Sequence, residues 1–147
     1  MPLLKIIHHP DKRLRKIAKP VTKTNKKITK ITNNMFETMY FHSGIGLAAT
    51  QVNIQKQIIV IDISHNQTQK IVLINPKILT KNGEISMQEG CLSIPNKYGL
   101  VTRAKEIKIC ALNKYGKYFE IKTNNLLSIC IQHEIDHLVG KLFIDYL

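Results

Sequence analysis

Gln132-His133-Glu134-Ile135-Asp136-His137 is the stretch of this 147-residue chain from which most of its fold and chemistry can be read. Histidines at i and i+4 project from one face of a helix, separated by about 6 Å along the axis at ~1.5 Å rise per residue. Both imidazoles can therefore grip one metal ion. Glu134 lies about 100° around the helix from His133, near enough to act on a water at the ion without being a ligand. Leu126, Leu127, Ile129, Cys130, Ile131, Ile135, Leu138 and Val139 cover nearly every side of the same segment. That pattern predicts a helix from about 126 to 139, buried all round. Two histidines, a glutamate and an aspartate buried there need a metal or hydrogen bonds, because unpartnered polar groups are costly in a core.

A catalytic zinc-type site has three protein ligands and one open position. A third histidine six residues after the second, in the pattern HExxHxxGxxH, is excluded. Gly140 stands at the glycine position, but Phe143 occupies the histidine position. A downstream glutamate is excluded too, since only Asp145 remains as a carboxylate before Leu147. The third ligand must lie upstream. Cys130 shares the face of His133, but an ion level with residue 135 would stand about 7.5 Å away along the axis, beyond a cysteine's reach. Cys130 reads as a small hydrophobe beside the site, and Cys110 as a core residue in an alternating strand. Cys91, in Gln88-Glu89-Gly90-Cys91-Leu92-Ser93-Ile94-Pro95, is the best remaining ligand. Gly90 would let the backbone pass close to another element, and Pro95 would end regular pairing. His8, His9, His42 and His65 read as surface or packing residues.

Gly44-Ile45-Gly46-Leu47-Ala48-Ala49 matches a weak dinucleotide fingerprint, which must follow a strand and open a helix. Here a helix precedes it and a strand follows, so a helix-ending turn is the better reading. The Gln51 amide, after this run of small residues, can donate to an oxygen that gains charge during a reaction.

The rest of the chain is ordinary for one globular domain: 44% apolar and 22% charged residues, with no apolar run of membrane-spanning length. Three cysteines and no signal-like N-terminus point to a reducing cytosol. The net charge is +12, and residues 1–30 carry eight lysines and two arginines against Asp11 alone. Such a patch attracts polyanions loosely. With 19 lysines to 3 arginines, a base-specific nucleic-acid reader is disfavoured.

Pro10-Asp11 followed by Leu14, Ile17 and Ala18 suggests a short helix ended by Pro20. Ile28, Ile31, Met35, Phe36, Met39 and Tyr40 follow helical spacing, capped by Thr24 or Asn25. Strands are expected at 57–63, 71–74, 106–109 and 118–121, with Asn82-Gly83 as a hairpin turn. Strands joined by short turns, with helices at both ends, give an α+β fold: antiparallel sheets packed around the buried helix that bears His133 and His137. One domain, residues 1–147, is expected.

Taken together, Gly44-Ile45-Gly46-Leu47-Ala48-Ala49-Thr50-Gln51, Glu89-Gly90-Cys91-Leu92-Ser93 and Gln132-His133-Glu134-Ile135-Asp136-His137 resemble the three motifs of peptide deformylase, in the family's order. The resemblance extends to His9-Pro10-Asp11 and Met35-Phe36-Glu37-Thr38-Met39-Tyr40. It implies a cytoplasmic metal-dependent hydrolase that removes the formyl group from the initiator methionine of nascent polypeptides, releasing formate. Carried over residue by residue, it makes Cys91, His133 and His137 the metal ligands and Glu134 the general base and acid. The Gln51 side chain and the Leu92 N–H would form an oxyanion hole. Substrate contacts would come from Gly44, Ile45, Gly46, Glu89, Gly90, Ile129 and Cys130. The ion expected from the family is Fe2+, with Zn2+, Ni2+ or Co2+ able to replace it.

Asp136, on the flank opposite Glu134, is expected to orient a ligand histidine or pair elsewhere. Many relatives carry an arginine where Tyr98 stands, and many continue into a C-terminal helix that helps docking on the ribosome, whereas this chain ends at Leu147. Weak electrostatic association of the basic residues 1–30 with the ribosome, a monomeric state and no membrane partner complete the expectations. A metallopeptidase lacks its downstream ligand here. A non-enzymatic basic module with a structural ion would leave Glu134 without a purpose, since structural sites are closed by a fourth ligand.

Overall fold

Ile58-Ile59-Val60-Ile61 is buried at all four positions, which requires cover on both faces of the strand it forms. The computed structural model, which describes residues 3–147, supplies that cover with two helices. Seven strands run in chain order as β1 (Gly46–Ala48), β2 (Ile58–Ile61), β3 (Ile71–Asn82), β4 (Ile85–Cys91), β5 (Ile94–Arg103), β6 (Glu106–Leu112) and β7 (Tyr118–Asn124). The helices are α1 (Lys26–Phe41) and α2 (Asn125–Leu138). Five strands make one antiparallel sheet in the order β1-β2-β3-β6-β7, and β4 pairs with β5 in a second. Successive side chains of β2 face opposite ways. Ile58 and Val60 join Ile28, Met35, Phe36 and Met39 of α1 in one core. Ile59 and Ile61 join Ile131 and Leu138 of α2, with Ile107 and Ile109 of β6, in another. The fold is α+β, as expected.

α1 starts where Asn25 accepts hydrogen bonds from the Lys27 and Ile28 N–H groups at 3.1 and 3.3 Å. Its end is made by Ser43, in the left-handed region at φ 58°, with the Gly44 N–H bonded to the Met39 carbonyl at 2.9 Å. The glycines that follow are therefore not required for the turn itself.

Five expectations need correction. The segment before Pro20 forms only a 3₁₀ turn, Lys12–Arg15, because the backbone is already extended at Lys16 (φ −74°, ψ 148°), which leaves Ile17 exposed. Asn82-Gly83 does turn the chain, with Gly83 at φ +68°, but the strands on either side do not pair. β3 goes to β6, whose inward Ile107, Ile109 and Ala111 complete the apolar face, and β4 leaves for the second sheet. Pro95 does not end pairing: it is the second residue of β5, where the register slips between Glu89↔Gly99 and Cys91↔Ile94. Cys110 is half-buried on the face opposite Ile107 and Ile109, out of the core, as the period of two requires. α2 is not buried all round, since Leu126 at its start is exposed and Leu127 and Ile135 are only partly covered.

The chain after α2 turns at Gly140 (φ +76°) and closes with a 3₁₀ turn, Phe143–Tyr146. A Cβ at Gly140 would stand 2.4 Å from the Arg15 carbonyl oxygen, and the Arg15 guanidinium bonds both the Gly140 carbonyl (3.0 Å) and Asp145 (2.7 Å). Gly140→Ala therefore combines a disfavoured φ with a backbone clash. It should cost at least about 1–3 kcal/mol, read as a lower urea midpoint at unchanged slope.

Candidate active site

His133 and His137 sit on the buried face of α2 with ring centroids 5.1 Å apart. Cys91 ends β4, where the bulge after Glu89 and the two-residue turn Leu92-Ser93 swing its sulfur toward the helix. Its Sγ lies 3.3 Å from His137 Nε2, and one donor atom from each of Cys91, His133 and His137 falls within 4.8 Å of the others. Metal–sulfur and metal–nitrogen bonds of about 2.3 and 2.1 Å span a comparable donor separation. The donor set fits a divalent ion, and the three residues are placed so that they could hold one.

The carboxylate that orients His133 is Glu89, which takes the Nδ1 side of the ring at 2.9 Å and leaves Nε2 as the nitrogen that could meet an ion. Arg103 grips both oxygens of Glu89 (Nε at 2.6 Å, Nη2 at 2.9 Å) and reaches Asp136 Oδ2 through Nη1 at 2.9 Å. Burial works against the Glu89 carboxylate, yet the hydrogen bonds from His133 and Arg103 hold it below the usual range. Burial also opposes charge on His133, but Glu134, the Cys91 sulfur and Glu89 push its pKa up to about 10. Surroundings that favour a proton there favour a cation for the same reason. His137 is held well below its ordinary value by burial, then by the charges of His133 and the arginines. It stands neutral, the form that binds metal.

Glu134 is buried, and burial pushes its carboxyl up to about 7. Gly46 makes room for it: a Cβ there would meet Glu134 Oε2 at 2.6 Å. Glu134 Oε1 and His137 Nδ1 have no hydrogen-bond partner among the described residues, a mark of a site that takes a further group. Gln51 lies in the 3₁₀ turn Ala49–Val52 with its Oε1 fixed by the Ala48 N–H at 2.9 Å. Its Nε2 is thereby aimed at Ser93 Oγ (3.1 Å) and Cys91 Sγ (3.4 Å). Gly46, Gln51, Cys91, His133 and Glu134 open on a cleft of about 710 Å³.

The residues given a ligand, catalytic or substrate role from sequence lie at this cleft or directly behind it. Gly44, Ile45, Gly46, Gly90, Leu92, Ile129 and Cys130 line it, and His137 is buried beneath. Burial, then the negative charge of Glu134, pushes the Cys130 thiol up to about 12, consistent with packing and against ligation. Glu89 lines the cleft too, but its carboxylate is turned onto Arg103 and His133 and not toward a substrate. Asp136 touches no histidine ring; it pairs with Arg103 and accepts from the Tyr146 hydroxyl at 2.7 Å. Tyr98 is exposed at the mouth with its ring against Gly90, where a Cβ would come within 2.7 Å of Cε1.

Arg103, Ser93 and Tyr146 were not foreseen. Arg103 did carry a signal, as one of only three arginines in a lysine-rich chain, where a fork-shaped donor is needed for a buried carboxylate. Among the described residues, no helix is long and apolar enough to cross a membrane.

The family model for polypeptide deformylase matches residues 3–147. A peptide deformylase from Legionella pneumophila is 46% identical, with a TM-score of 0.97 over 99% of this chain and 86% of that one. The enzyme from Thermotoga maritima is 38% identical, with a TM-score of 0.95 over 100% of this chain and 99% of its own. One from Synechococcus elongatus, solved in complex with actinonin, is 41% identical, with a TM-score of 0.94 over 100% of this chain and 80% of its own.

Cys91→Ala should abolish tight binding of a divalent ion while the protein stays folded. Equilibrium dialysis against Zn2+, with circular dichroism as the control, checks this; full retention of the ion would remove Cys91 from the ligand set.

Proposed function

The chain belongs to the polypeptide deformylase family, and we propose that Cys91, His133 and His137 hold the ion with which it removes N-formyl groups from nascent polypeptides. The observation that carries this reading is the meeting of a β4 sulfur with two α2 imidazoles beside the buried carboxylate of Glu134. When bound, the ion supplies Lewis acidity and brings the pKa of water toward ~7. We assign it as Fe2+, replaceable by Zn2+, Ni2+ or Co2+, since a set of two histidines and one cysteine tolerates each.

The rest is done by side chains. Glu134 takes a proton from the attacking water and delivers it to the departing amine, a role suited to a carboxyl whose burial holds it near neutrality. The Gln51 amide and the Leu92 N–H donate to the formyl oxygen as it gains charge. Gln51 is prepared for this by its fixed orientation, since Ala48 holds Oε1 and only Nε2 faces the cleft. Ile45, Ile129 and Cys130 receive the methionine side chain, while Gly44, Gly46 and Gly90 let the peptide backbone lie close. Residues 1–147 act as one catalytic unit and as a monomer. Exposed Lys12, Lys16, Lys19 and Lys23 provide weak electrostatic attraction to the ribosome.

The decisive assay is formate release from a formyl-Met tripeptide under anaerobic loading with Fe2+. Formate without cleavage between amino acids is expected, whereas peptide-bond cleavage would move the chain to the peptidases. Glu134→Gln should retain the ion and lose at least about 10²-fold in kcat; a near-normal rate would remove Glu134 from the proton transfer. Changing Lys12, Lys16, Lys19 and Lys23 to glutamine should reduce cosedimentation with ribosomes at low salt. Unchanged cosedimentation would count against the docking role.

A further inference from the structure

The closing 3₁₀ turn carries a group that the hydrolysis does not use. The Tyr146 hydroxyl donates to Asp136 Oδ2 at 2.7 Å, the same oxygen that accepts from Arg103 Nη1 at 2.9 Å. The Tyr146 ring also faces the Arg103 guanidinium, with Cζ 5.0 Å from its centroid, and Lys141 Nζ is 4.5 Å from the same centroid. A ring between two cations is held by both, and it shields the inner one from water. Arg103 is thus fixed from three sides: Glu89 on Nε and Nη2, Asp136 on Nη1 and Tyr146 on the face. Glu89 Oε1 accepts from Arg103 Nη2 and also meets His133 Nδ1, both at 2.9 Å.

We propose that Tyr146 is a positioning residue for His133, acting through Asp136, Arg103 and Glu89, so that the last turn of the chain sets how tightly the ion is held. The proposal rests on Cys91, His133 and His137 being the ion site. Arg103 has side-chain rotamers to choose from, and a guanidinium freed on one side lets Glu89 turn with it. His133 would then lose the partner that fixes its ring and directs Nε2. Partners at this remove from an ion typically contribute 10–100-fold to its affinity. Tyr146→Phe keeps the ring over Arg103 and removes only the hydroxyl, whereas Tyr146→Leu removes both.

The test is Co2+ binding to the full chain, by chelator competition and visible absorption, with melting of the metal-free protein measured alongside. Tyr146→Leu should raise the Co2+ dissociation constant about tenfold or more and shift the absorption bands, with Tyr146→Phe between it and wild type. In an Arg103→Lys background, Tyr146→Phe should weaken binding no further, because the route passes through the guanidinium. Lower melting of the metal-free variants with unchanged affinity and spectrum would mean a structural role only, and would overturn the proposal. So would additive losses in the Arg103→Lys background. If Tyr146→Leu does not fold, Tyr146→Phe decides alone, and an unchanged dissociation constant sinks the idea. A wild-type chain that binds no Co2+ would instead overturn the ion-site reading, a failure visible without any variant.

Discussion

One carboxylate joins the two halves of this protein. Glu89 belongs to the two-stranded sheet and His133 to the helix packed on the five-stranded sheet, and their 2.9 Å contact ties those units together beside the Arg103–Asp136 and Gln51–Ser93 contacts. Two residues further along β4, the Cys91 sulfur arrives 3.3 Å from His137. Were Glu89 free to move, the cysteine and the imidazoles would still be present, but their separation would no longer be set. The convergence of Cys91 with the two histidines is therefore a property of the junction between sheets, and not of the histidine helix alone.

A buried carboxylate in that position demands a cation, and its form matters. Arg103 offers three donors in one plane, two for Glu89 and one for Asp136. A lysine could neutralise the charge but could not hold both acids in fixed directions. Replacing such a network by apolar residues is often neutral or stabilising, so its value here lies in orientation more than in stability. The same economy shows at Gly46 and Gly44, neither of which has a positive φ. Each is small because something must lie against it: the Glu134 carboxylate over Gly46 and the Leu92 side chain over Gly44.

Much of this was legible from local pattern. Helical spacing and the Asn25 cap located α1, the continuous apolar run located β2, and the i, i+4 histidines located the ligand face of α2. Elimination of downstream ligands, then of Cys130 and Cys110, left Cys91, and the fold brings it to the histidines. What failed was pairing. β5 (Ile94–Arg103) has few inward apolar residues, so no alternation announced it, and Asn82-Gly83 marked a turn without revealing that its flanking strands part company. A turn signal specifies backbone angles within a few residues, whereas strand partners are chosen by which apolar faces can be buried together.

The residues fit for metal chemistry, their helix, and the two-sided burial of β2 follow from sequence, because each is a matter of residue type and periodicity within one segment. Only the tertiary structure decided that Glu89 faces inward to His133, that Asp136 serves Arg103 and not a histidine, and that Tyr146 covers the guanidinium from the last turn of the chain. Those contacts join residues 33 to 44 positions apart, and their partners are selected by charge and shape at a junction that no single segment contains.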